Sequence, residues 1–233
     1  MSEDLEDCMI IDLGGSILVP NGGPNIEFIR EFKQFILDFL KEGRRFIIVS
    51  GGGSIARHYQ QAASQIVDLS DEEKDWIGIH ATRLNAQWLR AVFYEQAHPV
   101  VFDDPTKEIG AMDRYNLFIA SGWRPGWSTD YVAMMLAKRF GVKEVIVATK
   151  ISYVYDEDIE KNANAHPLKE VSWADYRKMV GDRWIPGMKS PVDPIAAKLA
   201  EEEEIKVIVV LGTNLDNLGK VIRGEKFEGS VIR

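Results

Sequence analysis

Two short segments of this 233-residue chain combine glycine with strand-forming apolar residues in a way that suits phosphate chemistry. The first runs Ile11-Asp12-Leu13-Gly14-Gly15-Ser16, and the second Ile48-Val49-Ser50-Gly51-Gly52-Gly53. In each, a buried type of strand stops at glycines and helix-forming sequence follows. Glycine lets the backbone reach positive φ and lets a ligand approach the amide groups closely. A helix N-terminus adds about half a unit of positive charge. Together these make an anion site. Tight turns alone would account for one such loop, but two in a strand–glycine–helix setting favour phosphate. Neither segment reads Gly-x-x-x-x-Gly-Lys-Ser/Thr or Gly-x-Gly-x-x-Gly, which argues against a P-loop ATPase and a dinucleotide enzyme.

A third loop, Ser121-Gly122-Trp123-Arg124-Pro125-Gly126-Trp127-Ser128-Thr129-Asp130, also leads from a strand into a helix. Its aromatic rings suit stacking on a base, and Arg124 suits a phosphate. The structural alternative is a rigid Trp/Pro loop packed on a partner subunit. Asp130 falls in a first helical turn, where an acid complements the dipole without any catalytic role.

The elements that must position these loops follow from periodicity. Apolar runs alternate with helix-period segments, the pattern of an α/β sheet protein. Strands are expected at 8–13, 46–49, 100–102, 117–119, 145–147 and 207–211, with an edge strand at 231–232. Helices are expected at 25–42, 54–66, 129–140, 191–204 and 214–223. A long one, opened by the capping-box spacing Ser70-Asp71-Glu72-Glu73, should reach about residue 97. Residues 149–170 read as irregular. In an open parallel sheet, ligands sit beyond the carboxyl ends of the strands, which is where all three loops fall.

Composition bounds the rest. Hydrophobic residues make up 45% of the chain, enough for a substantial core. The net charge of −8, with no basic run, argues against a nucleic-acid partner. Cys8 is the single cysteine, so no internal disulfide exists. An acidic N-terminus and the absence of any apolar run of about 20 residues predict a cytoplasmic protein with no membrane partner.

Several segments, taken in order, resemble the amino-acid-kinase superfamily, and within it the archaeal type of uridylate (UMP) kinase. They are Asp12-Leu13-Gly14-Gly15-Ser16-Ile17-Leu18-Val19-Pro20, Gly51-Gly52-Gly53-x-x-Ala56-Arg57, Asp75-Trp76-Ile77-Gly78-Ile79 with Thr82-Arg83-Leu84-Asn85-Ala86, Pro125-Gly126-x-Ser128-Thr129-Asp130, Val154-Tyr155 with Asp158, and Val192-Asp193-Pro194-Ile195-Ala196-Ala197-Lys198. The resemblance covers nearly the whole chain. It implies a three-layer α/β/α sandwich around a mainly parallel sheet, formed by residues 1–233 as a single domain. The part up to about residue 140 would bind the acceptor, and 141–233 would bind ATP. It implies transfer of the ATP γ-phosphate to UMP, with Mg²⁺ carried by the nucleotide and no resident metal site, in a dimer-based homo-oligomer, commonly a hexamer in uridylate kinases.

Carried over by position, Gly15, Ser16, Gly53 and Arg57 would contact the ATP phosphates, and Thr149, Tyr155 and Asp158 would line the adenosine pocket. Gly52 and Asp75 would contact UMP, with Asp75 accepting from a ribose hydroxyl. Gly122, Trp123, Arg124, Pro125, Gly126, Trp127 and Ser128 would wrap the UMP side, and Asp130 would organise the cations. The family often supplies a lysine on the first strand, where this chain has Asp12, or after the triple glycine, where it has Ser54. Arg57 and Lys189 are the cations expected to compensate. The adenosine loop departs as well, with Tyr153 at the usual glycine and Ile159 at the usual proline. Two alternatives therefore stand beside UMP kinase. One is another kinase of the superfamily acting on a carboxylate, carbamate or isoprenoid phosphate. The other is a catalytically weak nucleotide- or oxyanion-binding protein.

Overall fold

The structure, a computed structural model, describes residues 7–21, 23–157, 159, 162, 164–183 and 190–233. Strand β1 (Cys8–Leu13) runs into the one-turn helix α1 (Gly15–Leu18) and then α2 (Ile26–Lys41). Asn25 caps α2 by accepting from the Phe28 amide, and Phe28, Phe32, Ile36 and Phe39 form its buried stripe. Next come β2 (Arg45–Ser50), α3 (Gly53–Ser64), α4 (Asp71–Val92), β3 (Leu117–Ala120), α5 (Thr129–Phe140) and β4 (Glu144–Thr149). The chain continues through a small hairpin of β5 (Val154–Tyr155) and β6 (Pro167–Leu168), then β7 (Glu170–Val171), α6 (Trp173–Val180), α7 (Pro194–Glu202), β8 (Lys206–Leu211), α8 (Leu215–Arg223) and β9 (Ser230–Ile232).

The main sheet has the order β3-β2-β1-β4-β8-β9-β7. The pairs from β3 through β8 are all parallel, and β9 is antiparallel to β8. Side-chain alternation divides the core into two layers. Ile10, Ile47, Val49, Val145, Val147, Val207 and Val209 pack with α5, α6 and α7. Ile11, Leu13, Phe46, Ile48, Ile146, Ala148, Ile208 and Val210 pack with α1, α2, α4 and α8. The expected sandwich is the observed one. Because β2 and β3 build outward on one side of β1 and β4 on the other, the β1–β4 boundary is a topological switch point.

Several expected boundaries are corrected. Helix α4 ends at Val92, five residues short, because the chain turns at Phe93 so that the His98 amide can donate to Leu117 O. No strand forms at 100–102. Pro99 has no donor, and the Val100 amide is held by His98 Nδ1 at 3.1 Å, so only Phe102 bridges to Ala120. The C-terminal strand is not an edge, since β9 lies between β8 and β7. The irregular 149–170 stretch contains β5 and β6, with β7 at its end. Helix α6 was not anticipated, although Ser172 caps it and its buried Trp173 and Tyr176 signal an inward face. Helix α7 begins at Pro194 rather than 191, because Asp193 caps it and proline suits the first helical position.

Candidate active site

The glycine loops after β1 and β2 are pressed together. A Cβ placed on Gly15 would lie 2.1 Å from the Gly53 amide nitrogen, and one on Gly51 would lie 2.3 Å from the Gly15 nitrogen. Gly53 adopts φ +68°, the left-handed region. The glycines are therefore needed for this interlock itself, whatever binds there. The amides of Gly15, Ser16, Gly52 and Gly53 take no backbone carbonyl acceptor among the described residues, so the interlock leaves a set of donors uncommitted.

Helix α4 holds the arrangement from one side. Buried Asn85 donates to Gly51 O at 2.9 Å and to Gly52 O at 3.1 Å. One turn earlier, Thr82 Oγ1 accepts from the Gly122 amide at 2.8 Å while donating to Ile79 O. Asp75 Oδ2 accepts from the Gly126 amide at 2.7 Å, and Arg83 donates to Trp123 O at 3.0 Å. Positions 75, 82 and 85 share one helical face, so a single element fixes both the triple-glycine loop and the 122–128 loop.

The cleft at the two glycine loops has a volume of about 220 Å³. Its walls include Asp12, Gly14, Gly15, Ser16 and Gly51 to Gly53, together with Arg57, Thr129, Asp130, Thr149 and Ser190. The structure thus brings together Gly15, Ser16, Gly52, Gly53, Arg57, Asp130 and Thr149 as expected. Tyr155 is not a wall of this cleft and pairs with Pro167 in the hairpin. Asp158 and Lys189 lie outside the described residues. Ser54, at the position where a lysine was sought, points away and donates to Pro20 O.

Loop 122–128 does not wall the cleft but adjoins it through α4. Arg124 lies against two neighbouring indoles, 4.1 Å from the Trp123 ring centre and 5.3 Å from that of Trp127. Trp127 in turn lies 4.0 Å from the Tyr131 ring. Ser128 caps α5, accepting from the Tyr131 amide at 3.0 Å and donating to Asp193.

Sequence reasoning placed Asp130 in the site but missed its buried acidic neighbours, Asp12 and Asp193. Asp12 occupies a β1 position facing α5, is 2% exposed, and its carboxyl lies within hydrogen-bonding reach of that of Asp130. Asp130 Oδ2 accepts from the Asp193 amide at 3.0 Å. Asp193 Oδ1 caps α7 through the amides of Ile195 and Ala196. Burial pushes Asp12 up to about 6, with repulsion from Asp193 adding to it. Burial and the neighbouring Asp12 and Asp193 charges hold Asp130 well above the usual carboxylate range. The signal available in sequence was an acid inside a strand of otherwise apolar residues, a placement that needs a reason.

An open, mainly parallel sheet with uncommitted glycine amides and a cation at its switch point defines an α/β protein built to hold phosphate groups. The chain belongs to the amino acid kinase family, whose model matches residues 7–211. It is 35% identical to uridylate kinases of Thermococcus sibiricus and Thermococcus kodakarensis over 225 residues, covering 96% of this chain and 98% of each relative. The solved uridylate kinase of Archaeoglobus fulgidus superposes with a TM-score of 0.81 at 32% identity, covering 97% of this chain and 99% of that one. The UMP kinase of Bacillus anthracis shares the fold at 22% identity with a TM-score of 0.76.

Proposed function

We propose that this chain transfers the γ-phosphoryl group of ATP to UMP, giving UDP. The observation that carries the reading is the interlocked pair of glycine loops beside Arg57, in a chain whose full-length relatives are named uridylate kinases. Phosphoryl transfer asks the protein mainly to align two phosphorylated reactants and to stabilise charge on the transferring oxygens. In this reading the amides of Gly15, Ser16 and Gly53, with Arg57, hold the ATP phosphates, and Thr149 lies on the adenosine side with Tyr155 and Asp158. Gly52, Asp75 and the 122–128 loop serve UMP. The Asp75 bond to Gly126 and the Arg124 stack support a preformed acceptor loop.

Mg²⁺ is proposed to arrive with ATP and to neutralise phosphate charge. The buried, unpartnered Asp12 Oδ2 fits a cation nearby. Lys189 remains the second proposed catalytic cation. The acceptor and donor regions are proposed to divide near residue 140 within one domain. A cytoplasmic homo-oligomer is proposed, dimer-based as in a hexamer. The exposed apolar side chains Tyr59 and Ile66 of the α3 region and Leu84 of α4 support an interface. No helix among the described residues is long and apolar enough to cross a membrane.

The test is a coupled assay of UDP formation with Mg-ATP and UMP. Turnover with UMP above that with a carboxylate, carbamate or isoprenoid phosphate supports the assignment. ATP consumption with only one of those acceptors, or calorimetric binding with no product, would sink it.

A further inference from the structure

Val192 stands between the cleft and helix α7. Just before it, Ser190 and Pro191 wall the cleft. Directly after it, Asp193 gives its amide to Asp130 Oδ2, caps α7 with Oδ1 and accepts from Ser128 with Oδ2. Val192 itself is fully buried, and neither its N–H nor its carbonyl has a backbone partner among the described residues. A buried peptide group of this kind must find its partners elsewhere. Here one hydroxyl serves both. Tyr176 Oη donates to Val192 O at 2.8 Å and accepts from the Val192 amide at 2.9 Å.

The tyrosine is itself held firmly. It lies on α6 and is 1% exposed. That helix is anchored by Trp173, whose Nε1 donates to Ile205 O at 3.0 Å, and by Arg177, which pairs with Glu201 of α7. Burial pushes the Tyr176 hydroxyl far above its ordinary range, and the Asp130 and Asp193 charges add to this, so it stays protonated and able to donate. Packing alone would not require the oxygen, because the ring meets Trp173 edge-on at 5.9 Å with or without it. We propose that Tyr176 is a positioning residue for phosphoryl transfer: its hydroxyl fixes the Val192 peptide groups, which aim the Asp193 amide at Asp130 and so set where the Asp130 carboxyl stands in the cleft. Tyr176 is not a wall of the cleft and acts only through this chain of bonds. Its effect on rate rests on the kinase reading above, whereas the clamp on Asp193 stands without it.

Tyr176→Phe removes the oxygen and keeps the ring. Turnover of Mg-ATP and UMP should fall by about 10–10²-fold, the scale of a misplacement of about 1 Å at a reacting centre. Trp173→Phe is the control, because it deletes another buried hydrogen bond of the same helix, away from the cleft. It should lose stability comparably in urea, yet its turnover should stay within about twofold of the intact chain. In an Asp130→Asn background, Tyr176→Phe should lower turnover by less than about twofold, since the group it positions is already disabled. Unchanged turnover in Tyr176→Phe, an equal loss in Trp173→Phe, or the full further loss beside Asp130→Asn would overturn the proposal. So would a Tyr176→Phe chain that does not fold, because the hydroxyl would then serve stability alone. Amide hydrogen exchange gives a readout that needs no activity. The Asp193 amide should exchange at least about tenfold faster in Tyr176→Phe than in the intact chain, with the β4 amides unchanged. Equal rates would refute the clamp. Faster exchange at Asp193 in a protein whose intact chain makes no UDP would refute the UMP assignment and leave the clamp standing.

Discussion

At the residue scale the decisive group is a buried acid pair rather than a catalytic base. A carboxyl whose folded pKa lies above its unfolded value favours the folded state when protonated. For Asp12, raised from 3.8 to about 6, that contribution is full below about pH 4 and is lost as pH rises toward 6. In metal-free buffer the intact chain should therefore lose on the order of 2 kcal/mol more than Asp12→Asn between pH 4 and pH 7. Urea unfolding at the two pH values measures this, and equal slopes for the two proteins would reject it. Asp130→Asn keeps an acceptor for the Asp193 amide, so the fold should persist. UMP-dependent turnover should nevertheless fall by roughly 10²–10³-fold, the scale of losing one electrostatic contact to a transition state. Unchanged turnover would remove Asp130 from the mechanism.

At the element scale α4 acts as a ruler. Its capping by Ser70 was legible in sequence, because Ser-Asp-Glu-Glu has the required spacing, and the Ser70 Oγ bond to the Glu73 amide is present. That its Asp75, Thr82 and Asn85 reach two separate loops could not be read, since the contacts span 51, 40 and 34 positions of chain respectively. Asn85→Ala should destabilise the protein by about 1–3 kcal/mol, because two carbonyls near the cleft lose their donor. It should also weaken ATP binding, which calorimetry would detect. Stability and affinity both matching the intact protein would contradict this role. Gly15→Ala is more severe. Its new Cβ meets the backbone of the opposing loop at 2.1 Å, so the loops must separate. Nucleotide binding should be lost, and an alanine variant with intact affinity would show that the interlock does not build the anion site.

At the scale of the whole molecule, one continuous sheet carries the glycine loops and, through β4, Thr149 of the proposed donor side, whereas Tyr155 sits on the separate β5–β6 hairpin. Its parallel strands place the ends of β1, β2, β3 and β4 along one edge, so loops far apart in sequence meet there, where the glycine interlock and the bonds from α4 fix them. The surface is acidic overall, with a net charge of −8, yet it leaves Ile66 82% exposed and Tyr59 68% exposed. Sedimentation equilibrium should therefore find a particle heavier than the 26.3 kDa chain. A monomer at micromolar concentration would rule out the oligomer.

The sequence by itself determined the alternation of strands and helices, the two glycine loops and the order of motifs that marks the family, because periodicity and glycine act over a few neighbouring residues. It did not reveal α6, the interior place of β9, or the halt at 100–102, where the outcome depends on which backbone donors are already taken. Nor did it show what Asp12 does. An acid on β1 is only an anomaly until the sheet and α5 bring Asp130 beside it and burial removes the water that would otherwise separate the two. Local chemistry is written in local sequence, whereas the sign of the charge in the cleft is a property of contacts that only tertiary packing creates.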